Sequence, residues 1–190
     1  PRREAGAQEG AGVSMLAVHE RDDDRHEENE AERTQDGADG VQDDADAQAK
    51  MAPFSPLIGE WKTEATHPAL PGVIAKGQVR FEWVNGHRFL IQHAENDHPD
   101  FPDSLSVIGV MEGGRDLSMQ YFDSRGVNRT WGVEFDGHKL RIWRDAAGFA
   151  QRITMNLSAD GETLAGVWQL NQNDEGYKDD LAIIYRRSTQ

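Results

Sequence analysis

The sequence contains no cysteine, only 3 tyrosines, and few positive charges. Without cysteine there is no disulfide, zinc–thiolate site, iron–sulfur cluster or thiol nucleophile. No apolar run approaches the roughly 18 residues of a membrane-spanning helix, and the first residues carry no apolar segment of secretory type. The expected location is cytoplasmic. Lys and Arg total 20 against 34 Asp and Glu, a net charge of −14. This balance excludes a nucleic acid held through its phosphates, which needs a basic face. It also excludes docking on an anionic membrane. No Gly-x-Ser-x-Gly elbow, glycine-rich phosphate loop or His-Glu-x-x-His motif occurs, and no two carboxylates share one strand face closely enough for a glycosidase pair.

What is present divides near position 50. Residues 1–50 hold 15 acids and 6 bases, with no Phe, Trp, Tyr or Ile. Such a segment cannot bury enough surface to offset chain entropy, so a disordered acidic tail is expected there. Met51-Ala52-Pro53 reads as a candidate start of the functional protein, since everything foldable follows it. All 15 aromatic residues lie in 51–190, and about 140 residues suffice for an independent core.

From Ile58 onward, period-two alternation is broken by turn signals at short intervals, the pattern of an all-β chain. Strands are expected at about 59–66, 74–84, 88–95, 105–111, 117–122, 128–135, 139–144, 149–157, 163–170 and 179–187. Asn85-Gly86 is the strongest short hairpin signal. A single helical turn is expected at 53–58. About ten strands joined by short connections solve their edge problem by closing on themselves. An up-and-down antiparallel β-barrel is therefore expected, with room inside for one small ligand. The alternative, a two-sheet sandwich, needs longer crossing connections.

The first strand opens Gly59-Glu60-Trp61, and the chain closes Tyr185-Arg186-Arg187. A Gly-x-Trp at the start of the first strand resembles the signature of the calycins, the lipocalins and their relatives. The resemblance implies that Trp61 closes the barrel base and that Arg186 or Arg187 packs over its ring, a cation–π contact. Phe81-Glu82-Trp83, Phe89-Leu90-Ile91-Gln92-His93, Tyr121-Phe122-Asp123-Ser124-Arg125-Gly126 and Ser158-Ala159-Asp160-Gly161 with Trp168 further resemble a bacterial family of lipocalin-like barrels with no settled activity. Fold carries over from such a resemblance and chemistry does not. Fatty-acid-binding proteins insert a helical lid after the first strand, for which 67–72 is too short. Nitrobindins are ten-stranded barrels that hold haem through a histidine near the C-terminus. Here the last histidine is His138, so no cofactor is expected.

Candidate site residues follow from the alternation. His93, in phase with Phe89 and Ile91, is the leading titratable group if that face points inward. A reversed register gives the place to Gln92. Tyr121, Tyr185 and Arg129 are candidate polar handles on a ligand, with Gln120 and Gln151 as further candidates. Phe81, Trp83 and Trp168 are candidate walls, with Trp131 and Trp143 also available. Asp123 lies in phase with Tyr121, but Asp-Ser-x-Gly is equally turn chemistry. His87, His93, Asp97 and His98 match no usual ligand spacing, so no metal is expected. The expected function is binding of a small apolar or planar molecule inside the barrel. The alternatives are an enzyme using His93 as general acid/base in the same cavity, and a structural or partner-binding barrel with a filled interior. A homodimer is the candidate assembly.

Overall fold

A computed structural model describes residues 45–111 and 116–188. Ten antiparallel strands carry the chain: β1 (Gly59–Thr66), β2 (Ala75–Val84), β3 (Phe89–Asn96), β4 (Ser104–Val110), β5 (Leu117–Asp123), β6 (Asn128–Phe135), β7 (Lys139–Arg144), β8 (Phe149–Leu157), β9 (Thr163–Gln172) and β10 (Lys178–Arg187). Each strand pairs with the next in sequence, and β10 returns to β1, closing the barrel. The closing pair runs from Trp61 opposite Arg187 to Thr66 opposite Ala182. The expected up-and-down barrel is thus the observed architecture. The bounds of β1, β6, β7 and β8 are those the alternation predicts.

The chain between the strands explains which end is shut. Pro53 and Pro56 favour a tight single turn over a longer α-helix, because proline supplies no backbone donor. The result is a 3-10 helix, Ala52–Leu57. It lays Phe54 and Leu57 across the end of the barrel beside Met51 and Trp61, all four fully buried. Burying each such side chain is worth about 1.5–3 kcal/mol. Phe54 meets Phe135 of β6 with ring centroids 5.4 Å apart. Trp61 Nε1 donates to the Leu57 carbonyl at 2.8 Å.

Arg187 completes this base. Its guanidinium lies 4.2 Å from the centroid of the Trp61 ring. It donates to Pro56 O at 2.6 Å and to Ile58 O at 2.9 Å, and reaches Gly161 O at 3.3 Å. Arg187, and not Arg186, is the residue that packs on Trp61. Arg186 instead pairs with Glu64 on the outside, at 2.8 Å.

Of residues 1–50, 45–50 are described; they are helical, continuing through Met51. Gln48 Nε2 donates to the Gly86 carbonyl at 2.9 Å. The rest of the segment expected as an acidic tail lies outside the described residues. The β2–β3 connection uses the Asn85-Gly86 signal, with φ of 50° and 64°, but His87 also has positive φ, 68°. The loop therefore spans four residues, with Val84 paired to Phe89.

His93 points out of the barrel, not into it. Its Nε2 lies 3.1 Å from Glu82 Oε1 on the outer wall, and its side chain is 39% exposed. β3 is apolar on both faces, so alternation alone is ambiguous. Leu90, fully buried, opposes Trp83 and Ile108 on the inner face. Phe89 lies outside, where its ring covers the backbone of Gly109.

Candidate functional site

The inner faces of the strands do not fill the barrel. They enclose a cavity of about 560 Å³, which reaches from Leu57 at the base to the loops at the opposite end. Those loops supply His67 and Leu70 after β1, Phe101 before β4, Arg125 after β5, and Asp180 at the start of β10. The lumen is therefore not the filled interior of a purely structural barrel.

The lower and middle walls are apolar. Phe81, Ile108, Met119, Trp131, Met155 and Trp168 face the cavity. Trp131 and Trp168 meet edge to face, with centroids 5.3 Å apart. Trp131 Nε1 is buried with no hydrogen-bond acceptor among the described residues. Phe81 and Trp168 stand where the alternation expects walls. Trp83 does not line the cavity: it packs near the base with its ring 5.2 Å from that of His87. Trp143 sits outside, over Gly132.

Deep in the cavity, Tyr185 and Gln92 form one polar spot. Gln92 Nε2 donates to Tyr185 Oη at a long 3.4 Å. The phenol accepts there, which leaves its own proton for another acceptor. Burial pushes its pKa up to about 12, against a small lowering by Gln92, so the group is a neutral donor at any ordinary pH. Gln92 is the residue that takes the place His93 was expected to hold.

A second polar group lies near the open end. Asp123 closes the β5–β6 turn by accepting from the backbone N–H of Arg125 at 3.0 Å and of Val127 at 3.2 Å. Its other oxygen takes Arg125 Nη2 at 2.6 Å and Arg125 Nε at 3.2 Å. The hydrogen bonds from Arg125 are the main reason its pKa falls from 3.8 to about 2. The turn reading of Asp123 is thus the observed one, and it positions a neighbour as well. Tyr121 donates its hydroxyl proton to Asp123 Oδ2 at 3.2 Å. Burial first, and the Asp123 charge second, push the Tyr121 pKa up to about 12.

Arg129 stands directly opposite Tyr121 in the β5–β6 register and faces the cavity. Its guanidinium lies 5.5 Å from the centroid of the Phe149 ring. It donates to Gln151 Oε1 at 3.4 Å. Gln120, by contrast, faces outward, accepting from Thr130.

Among the described histidines, His67 is the one that lines the cavity. The Ala69 N–H donates to its Nδ1 at 3.0 Å, and Nε2 lies 3.0 Å from Asp180 Oδ1. In the neutral ring both nitrogens are therefore engaged, leaving no lone pair for a general base. Asp180 reaches the cavity because the β9–β10 pairing shifts between Asp179 and Leu181, an irregularity that strict alternation does not foresee. No group of three or more His, Asp or Glu side chains is placed to hold a metal among the described residues. No described helix is long and apolar enough to cross a membrane.

Thr63, Asn96 and Ser106 also line the cavity and escaped the sequence reading. Thr63 had a signal: once Trp61 points to the base plug, alternation turns Thr63 and Ala65 inward.

No family model matches the chain, and no curated protein matches it. Among solved structures, Rv2717c from M. tuberculosis superposes with a TM-score of 0.54 at 16% identity, covering 74% of this chain and 98% of that one. The S-type phycobiliprotein lyase CPES from Guillardia theta matches at a TM-score of 0.43 and 8% identity, covering 78% of this chain and 98% of that one. At such identity the likeness to Rv2717c is one of fold alone.

Proposed function

We propose that this protein binds a small, largely apolar or planar organic molecule inside its barrel. The observation that carries the reading is the cavity itself, about 560 Å³, within the roughly 300–1,000 Å³ typical of small-molecule sites. Its chemistry supports the same reading: aromatic and thioether walls give area, while a few fixed polar groups give orientation. Trp131 and Trp168 offer faces and edges to a planar ring. Tyr185 offers a donor at depth, and Tyr121 is held by Asp123 rather than free to swing. An enzyme built on His93 finds no support, because that ring lies on the outer wall against Glu82.

The test is a fluorescence titration of the full chain with N-phenyl-1-naphthylamine, a neutral, planar, apolar probe. Its partner is Ala94→Trp, which directs an indole into the lumen from β3, where Ala94 lines the cavity. Saturable binding by the wild type, weakened at least about tenfold in the variant, is expected; tenfold corresponds to about 1.4 kcal/mol. Absence of saturable binding, or equal binding in both proteins, would overturn the reading. Circular dichroism establishes that the variant keeps its sheet.

A further inference from the structure

We propose that the ligand of this cavity carries one oxyanion, of carboxylate or sulfonate type, seated on Arg129, with its apolar body running down towards Trp131 and Trp168. This inference rests on the cavity-binding reading above and adds the ligand's charge and orientation.

Of the two arginines that line the cavity, one is paired with a carboxylate and the other is not, among the described residues. Asp123 and Arg125 neutralise each other through three hydrogen bonds, one from the backbone and two from the guanidinium. Asp180 is engaged by His67. Asp100 stands at the rim, its side chain 65% exposed to solvent. Arg129 has no such partner among the described residues. Its polar contact is the amide oxygen of Gln151, at the limit of hydrogen bonding, and its other contact is the face of Phe149.

A half-buried guanidinium gives up part of its hydration. Holding it in a wall without a counter-ion is costly unless something supplies one. Arg129 is not held there by a structural duty of the kind that Arg125 or Arg187 performs. With Phe149 5.5 Å away and one long bond to Gln151, most of the donor edge is uncommitted among the described residues, and that flat fork matches the geometry of a carboxylate or sulfonate. Because Arg125 is cancelled by Asp123, Arg129 leaves this wall with one net positive charge. A single anionic group satisfies it, and a dianion would over-compensate. The acidic character of the chain as a whole acts weakly at this point, since solvent charges beyond about 8 Å are screened at physiological salt.

The experiment compares two probes with the same arylaminonaphthalene skeleton. N-phenyl-1-naphthylamine is neutral, and 1-anilinonaphthalene-8-sulfonate adds one sulfonate. Wild-type protein is expected to bind the sulfonate at least about tenfold more tightly, the scale of one charge-assisted hydrogen bond. Arg129→Gln is expected to abolish this preference, the sulfonate losing at least about tenfold more affinity than the neutral probe does. Arg129→Lys keeps the charge but loses the fork, so it is expected to retain only part of the preference. It also serves if the Gln variant does not fold. Equal affinity for the two probes, or a preference that survives both substitutions, overturns the inference and leaves the cavity reading standing. Failure of both probes to bind overturns both.

Discussion

Replacing Arg187 with Ala tests the way the barrel base is sealed. In the folded protein this side chain does three things together. It stacks on Trp61 at 4.2 Å, donates to Pro56 O and Ile58 O, and joins Gly161 O to the same fork. Its side chain is only 27% exposed. A hydrogen bond involving a charged group contributes about 1.5–3 kcal/mol where it is protected. A cation–π contact adds about 0.5–2 kcal/mol according to its desolvation. Water can reach some of the carbonyls once the side chain is gone, so these contributions do not add in full. A loss of about 3–4 kcal/mol is expected, near the upper end for single substitutions. For a domain of this size that lowers Tm by roughly 10 °C. Arg187→Lys keeps a cation over the ring but cannot reach three carbonyls, so it is expected to lose about half as much. Urea unfolding followed by tryptophan fluorescence measures both variants, with equal m-values as the check that the two-state treatment holds. A loss below about 1 kcal/mol for Ala, or a Lys variant as stable as wild type, refutes the argument that the guanidinium fork holds the base.

Three further outcomes follow from the same geometry. The Asp123 pKa is depressed in the folded protein, from 3.8 to about 2, so its contribution is present above about pH 4 and lost as pH falls towards 2. Asp123→Asn is therefore expected to cost about 2 kcal/mol at neutral pH and to flatten the acid limb of the stability curve; urea midpoints across that range check it. At Gly166 an added methyl collides with the Thr154 carbonyl and the Met155 backbone of the neighbouring strand. Gly166→Ala is accordingly expected to destabilise by at least about 1–3 kcal/mol, the cost of overpacking, read by thermal unfolding. His93→Ala touches the outer wall, so probe binding is expected to stay unchanged, with stability altered by less than about 1 kcal/mol as for an exposed ion pair. A binding loss there would mean that β3 is turned the other way.

The architecture was legible because local signals agreed with one another. Alternation marked the strands, and glycine with Asn or Asp marked their ends. The Gly59-Glu60-Trp61 opening located the base, where Arg187 and Trp61 meet as the resemblance implies. Which residues face the lumen was harder, and β3 shows why. Phe89, Leu90 and Ile91 are consecutive apolar residues, so period two has no phase there. The phase was available from the hairpin instead. Phe81 lies inside, and a turn of either two or four residues at Asn85 places even-numbered residues of β3 opposite the odd-numbered inner residues of β2. That parity assigns Gln92 to the lumen and His93 to the outside, as Phe81 opposite Gln92 shows. Asp180 was illegible for a different reason: the pairing shift beside it breaks the alternation on which the inference depended. The isolation of Arg129 was also hidden, because whether a charge has a partner depends on strands far apart in sequence.

The central claim is that the barrel carries a small organic molecule in its cavity. Native mass spectrometry of the full chain, purified gently from its own host and examined again after incubation with N-phenyl-1-naphthylamine, tests it most directly. The account predicts a small-molecule mass that stays with the folded protein, appears free after denaturation, and is exchanged for the probe. A bare protein mass both before and after incubation would contradict it.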